Sequence, residues 1–223
     1  LWGGRQGTGM AGMKLYADVV KAEDRGSRTA LLICTRQPIG NVIRRQGTEG
    51  LEIYIEDGRM ISPAQRRKAY ATLRDISEYT GYTVEAAKDL MKVEYMIQSG
   101  DDEYISLSNC TMTQAREYIN TLMDFSLKNG IILTEQGLMR TDDIDRYLIQ
   151  CIRYRRCCIC GRPADIHHVD AIGMGRDRKN YDDSENEIMA LCREHHIQYH
   201  TIGRERFTKM YKVYGIGRRA AGE

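Results

Sequence analysis

The sequence predicts an α+β fold: a small N-terminal sheet, a run of helices, and a compact C-terminal module organised around metal. Three observations lead there. Short alternating apolar segments dominate before residue 60, and the following ninety residues carry apolar positions at three- and four-residue spacing between cap signals. All five histidines and four of the seven cysteines then fall between residues 157 and 200.

Composition narrows the class. At about 150 residues per domain, 223 residues make one large or two small domains, able to bury a core without disulfide staples. A hydrophobic content of 42% with 29% charged residues excludes wholesale disorder. No run approaches the roughly 20 apolar residues of a membrane span, and the N-terminus lacks a basic-then-apolar signal pattern, so a soluble, cytoplasmic protein is expected. The odd cysteine count argues against a disulfide framework. From residue 151 onward 14 Lys/Arg face 10 Asp/Glu, a net +4, which leaves −2 for the first 150 residues. The C-terminal third is the better face for a polyanion.

Each element has its own signal. The Gly-rich residues 1–12 read as a flexible arm or extension. Met13 to Lys21 alternates as a strand, EDRGSR as its turn, Thr29 to Thr35 as a second strand and Leu51 to Asp57 as a third. Ser62 and Pro63 open a helix that runs to Gly81 with Ala69, Tyr70, Leu73 and Ile76 on one face. Thr83 opens another, reaching about Gln98, and Glu103 to Ser108 reads as a short strand. Thr111 with Gln114 forms a capping box for a helix that stops at Gly130. Asp142 and Asp143 open a last helix bearing Ile144, Tyr147, Leu148, Cys151 and Ile152. These elements divide into the arm, an α+β domain over 13–150 and a metal module over 151–223.

The module's chemistry lies in its spacing. Cys157-x-x-Cys160-Gly161 has the form of a zinc knuckle, and Cys192-x-x-His195 offers a second ligand pair, together the four donors of a structural zinc site. Cys158 stands too close to Cys160 for that geometry. His196 and His200 are four apart on a predicted helix, which places both imidazoles on one face. One histidine of the tandem His167-His168 completes a three-imidazole site with open positions, and the other is left to take a proton from water. Neighbours on a strand point to opposite faces, so both serve one reaction only if the strand bends or a phosphate spans them. Arg176, Arg178 and Lys179 in the following loop can contact a nucleic-acid backbone, although Asp177, Asp182 and Asp183 dilute that patch. Arg153, Arg155 and Arg156 form a second basic candidate.

CCICGRPADIHHVD and SENEIMALCREHHIQYH, within residues 157–200, resemble the HNH nucleases, and most closely those of phages of Gram-positive bacteria. The resemblance implies a zinc-stabilised ββα-metal (HNH) module. It makes His167, His196 and His200 ligands of a catalytic ion, His168 the general base and Asn186 the central Asn of the motif. It implies a DNA endonuclease leaving 5′ phosphates, acting in phage recombination, replication or repair in the bacterial cytoplasm. Structural Zn²⁺ is expected with catalytic Mg²⁺ or Mn²⁺, while three imidazoles also suit Zn²⁺ or Ni²⁺. Upstream, Asp57 to Gly81 resembles the Orf (NinB) recombination proteins of lambda-like phages through Gln65, Arg67 and Lys68. That resemblance implies single-stranded DNA binding, a homodimer, and a single-strand-binding protein or recombinase as partner. The substrate is duplex, single-stranded or branched DNA. The rival function is a non-catalytic, zinc-stabilised single-stranded DNA-binding recombination mediator, which needs the cysteine cluster but neither His168 nor the helical pair. No helical HExxH is present, which disfavours a zinc protease.

Overall fold

The computed structural model describes residues 17–25, 28–35, 38–41, 44, 58–100, 103–169 and 186–222. Packing divides the chain into two compact units, Leu1–Ile55 and Glu56–Glu223. In the first, β1 (Ala17–Arg25) pairs antiparallel with β2 (Arg28–Thr35). Val19 faces Ile33 and Lys21 faces Leu32, so the register shifts at Val20. β1 runs further than expected: Glu23 and Asp24, read as turn residues, pair with Ala30 and Thr29. The expected arm over 1–12 and the expected third strand over 51–57 lie outside the described residues.

The second unit starts with helices whose boundaries follow the cap chemistry. In α1 (Pro63–Thr80) the Ser62 hydroxyl accepts from the Gln65 N–H (3.1 Å), and the Gln65 side chain accepts from the Ser62 N–H (3.0 Å). α2 (Val84–Ser99) follows the Thr83 cap, and α3 (Met112–Asn129) repeats the box with Thr111 and Gln114. The starts of α1 and α3 are tied together. Ile61 N–H donates to the Cys110 carbonyl, Met112 N–H to that of Arg59, and the Gln65 amide to that of Met112. Ala69, Leu73 and Ile76 of α1 are buried, whereas Tyr70 is exposed. One residue further round the helix than Ala69, it falls off the inward stripe.

Residues 103–108 are not the expected strand. They form a turn in which the Ser106 carbonyl accepts from the Asn109 and Cys110 N–H groups. The Arg66 guanidinium takes the carbonyls of Leu107 (2.9 Å) and Ser108 (3.3 Å). Ile105 and Leu107 alternate because both are buried, and among the described residues they pair with no strand. Gln65 and Lys68, two residues of the recombination-protein resemblance, are likewise used inside the fold. Gln65 is in its capping box, and the Lys68 ammonium donates to the Thr141 carbonyl (2.6 Å).

A short helix, α4 (Gly137–Arg140), precedes α5 (Ile144–Arg153), whose first turn is capped by the Asp143 carboxylate accepting from the Arg146 N–H (3.1 Å). Tyr147, Leu148, Cys151 and Ile152 of α5 are buried, while Ile144 in its first turn is exposed. The core then crosses residue 150 without interruption. Tyr147 hydroxyl donates to the Cys158 carbonyl (3.1 Å), and Arg156 Nε donates to the Leu127 carbonyl at the end of α3 (3.2 Å). The division in packing falls at 55/56. Arg156, read above as a basic contact, serves instead as a C-terminal cap.

The chain closes with β3 (Asp165–His168), β4 (Glu187–Leu191), α6 (Arg193–Ile202), α7 (Arg204–Tyr211), β5 (Ile216–Gly217) and α8 (Arg218–Ala221). The three strands form an antiparallel sheet in the order β3-β4-β5. The molecule is thus α+β with small sheets. No helix among the described residues is long and apolar enough to cross a membrane.

One buried ion pair holds α4 to α1. Arg140 Nη2 lies 3.4 Å from the Asp75 carboxylate and donates to Thr134 Oγ1 (2.9 Å), with both charged side chains 4% exposed. Replacing Arg140 with Ala leaves the Asp75 charge buried without its partner. The expected loss is about 3–5 kcal/mol of unfolding free energy, measurable by urea denaturation.

Candidate metal centres

Cys157 and Cys160 sit on a tight hairpin directly after α5. Cys157 N–H donates to the Arg162 carbonyl (2.8 Å) and Gly161 N–H to the Cys157 carbonyl (2.8 Å), while Arg156 bridges to Pro163. Gly161 has φ +70°, the left-handed conformation that closes this turn and that a Cβ would strain. Cys192 is the N-cap of α6, and its carbonyl accepts from the His196 N–H (2.8 Å). Three residues on, His195 faces the same side as Cys192.

These four donors converge. Cys160 and Cys192 Sγ are 3.7 Å apart, and His195 Nδ1 lies 3.1 Å from Cys192 Sγ and 3.4 Å from Cys157 Sγ. Tetrahedral zinc with ligand distances of about 2.3 Å to sulfur and 2.0–2.1 Å to nitrogen places sulfurs roughly 3.8 Å apart and sulfur–nitrogen pairs roughly 3.6 Å apart. The cluster fits such an ion. Burial pushes the Cys157 thiol up to about 12, so an uncompensated thiolate there is unfavourable and a divalent cation supplies the missing charge. At Cys160 burial also pushes upward, but hydrogen bonds from Arg162 and the neighbouring thiols outweigh it and draw the thiol below its ordinary value. Arg162 Nε reaches the Cys160 sulfur at 3.3 Å and its Nη2 donates to Glu194 (2.5 Å), clasping the hairpin to α6. Cys158 points elsewhere: it is fully buried, and its N–H donates to the Ala190 carbonyl (3.0 Å).

The second cluster joins β3 to α6. His167 faces Met189 across the ladder and is buried, whereas His168, facing Ile188, is exposed, as strand alternation requires. His167 packs against both helical imidazoles, with ring centroids 4.7 Å from His196 and 5.2 Å from His200. His196 and His200 bring their Nε2 atoms to 3.2 Å, close to the roughly 3.3 Å between nitrogens on one tetrahedral ion. One nitrogen from each of the three lies within 4.8 Å of the others. His167 Nε2 is buried with no hydrogen-bond partner among the described residues, an orphan that a cation would satisfy. Burial, helped by the neighbouring His196, His200 and His168, lowers His167 to about 4, and burial lowers His196 as well. Neutral imidazoles are what a metal requires.

The family model described as "Putative HNHc nuclease" matches residues 34–219. The chain belongs to that family. Comparison with curated proteins and with solved structures gives no match.

Membership implies DNA as the substrate class, and HNH nucleases use divalent metals. The remaining expected site residues are placed as follows. Asn186 is buried just before β4, at the end where His168 lies, and its carbonyl accepts from the Arg218 N–H (3.0 Å). Arg176, Arg178 and Lys179 fall outside the described residues. Three features escaped the sequence reading: β5, the Arg162 clasp and the packing of Tyr199 on His167 (4.2 Å). Tyr199 was recoverable, because it stands four residues after His195 and three after His196, on the side of the helix that faces the sheet.

Cys157→Ser and Cys158→Ser should separate cleanly. Purified Cys157→Ser is expected to lose the zinc that the wild type retains through gel filtration, whereas Cys158→Ser keeps one equivalent, as read by atomic absorption.

Proposed function

We propose that this chain is a metal-dependent DNA endonuclease in which His168 is the general base. The observation that carries the reading is one strand presenting two histidines with opposite environments. His167 is buried with an orphaned nitrogen against His196 and His200, and His168 is exposed beside it. In this reading His167, His196 and His200 hold one divalent ion, with Mg²⁺ or Mn²⁺ the working metal. When bound, that ion offsets the negative charge that develops on the phosphoryl oxygens and the departing 3′ oxygen.

The chain's own residues supply the rest. His168 lies outside the ligand set, so its imidazole is free to take the proton of the attacking water. The two histidines leave opposite faces of β3, so the scissile phosphate spans the strand and not one face of it. Asn186, at the same end of the sheet, orients that end through its link to Arg218. Cys157, Cys160, Cys192 and His195 hold a structural zinc that keeps α6, and with it His196 and His200, in register with the sheet. Arg176, Arg178 and Lys179 contact the DNA backbone.

His168→Ala is the test. Cleavage of plasmid, single-stranded and branched DNA with Mg²⁺ or Mn²⁺ should fall by about 10²–10⁴-fold, with zinc content, melting temperature and DNA affinity unchanged. Equal cleavage by the variant would remove His168 from the chemistry. Absence of cleavage by the wild type, with DNA binding intact, would favour a zinc-stabilised DNA-binding protein.

A further inference from the structure

His195 of the cysteine cluster and His196 of the histidine cluster are consecutive on α6, yet His167 reaches the second cluster from β3. A continuous file of rings joins these elements. From His195 the contact passes to Tyr211 (centroids 5.5 Å, planes at 88°) and on to Phe207 (4.9 Å, 53°). It continues to Tyr199 (5.1 Å, 64°) and ends on His167 (4.2 Å, 62°). Phe207 is fully buried and Tyr199 nearly so, and the Tyr211 hydroxyl donates to Gln198 Oε1 (2.8 Å), which fixes the rotation of its ring. Rings in contact at these distances restrict one another's rotation, most of all at the buried Phe207 and Tyr199.

We propose that the two metal sites are thermodynamically linked through Tyr211, Phe207 and Tyr199, so that filling the cysteine cluster raises the metal affinity of the histidine cluster. The proposal rests on the reading above only in requiring that His167, His196 and His200 bind an ion. An ion on His195 Nδ1 fixes that imidazole and the face it presents to Tyr211. The constraint passes along the file to His167, whose Nε2 is then held toward His196 and His200 before a second ion arrives. That ion has less ordering left to impose and binds more tightly. Linkage of binding is reciprocal, so the histidine cluster strengthens the cysteine cluster by the same factor. Tyr199, Phe207 and Tyr211 are positioning residues, because none offers a ligand atom to either cluster.

The experiment uses the full chain and two metals with different preferences. Mn²⁺ avoids thiolates, so its affinity is measured by loss of the free-ion EPR signal, with and without one equivalent of Co²⁺ on the cysteine cluster. Co²⁺ is titrated into the cysteine cluster by its thiolate charge-transfer band, with and without saturating Mn²⁺. In the wild type each ion should tighten the other by the same factor, about five-fold or more. Phe207→Leu, which keeps an apolar side chain but breaks the file, should bring both ratios close to one. Tyr211→Leu provides a second break at a half-buried position. A merely structural role would weaken both sites and leave the ratios unchanged. Ratios of one in the wild type, or wild-type ratios in both leucine variants, overturn the linkage. Failure of Mn²⁺ to bind at all overturns it together with the reading of the histidine cluster as a metal site.

Discussion

The C-terminal module depends on one constraint, the meeting of a two-cysteine hairpin with the first turn of α6. Cys157 and Cys160 arrive from the end of α5, and Cys192 and His195 from the strand-to-helix junction. One backbone bond, from Cys158 N–H to the Ala190 carbonyl, already joins the two turns. The four donors meet there at spacings that suit one tetrahedral ion, and the Arg162–Glu194 contact reinforces the same join. Once α6 is fixed there, its next residues have no freedom in where they point, so His196 and His200 face His167 as a consequence of the hairpin.

Burial then separates the histidines by role. His195 and His167 are buried, and His168, His196 and His200 are exposed. An imidazole with water around it can exchange a proton, whereas an enclosed one is held neutral and offers a lone pair. Burial thus divides five residues of one type two against three, and strand alternation accounts for the sharpest case, two neighbours with opposite environments.

How much of this was legible in the sequence depended on whether a signal was local. The capping boxes at Ser62 and Thr111, the Asp143 cap and the CxxC, CxxH and HxxxH spacings are short-range chemistry, and each appears where its residues placed it. The misreadings came from contacts distant in sequence. Glu103 to Ser108 alternates like a strand but has Arg66, some forty residues earlier, on its carbonyls. Arg156 reads as a surface cation until the end of α3 is brought beneath it. Arg140 and Asp75 carry no local pattern that announces a buried pair. β5 is only two residues long, too short for periodicity to register.

The passage of the core across residue 150 has a meaning for inheritance and engineering. Tyr147 and Cys158 share a hydrogen bond, and α5 contributes its buried face to the same apolar interior as β4 and Phe207. The cysteine–histidine segment is therefore not a cassette that can be cut out at its first cysteine and grafted elsewhere. Its scaffold lies upstream, in helices that contribute no residue to either cluster, and shuffling this segment between proteins would have to carry those helices along.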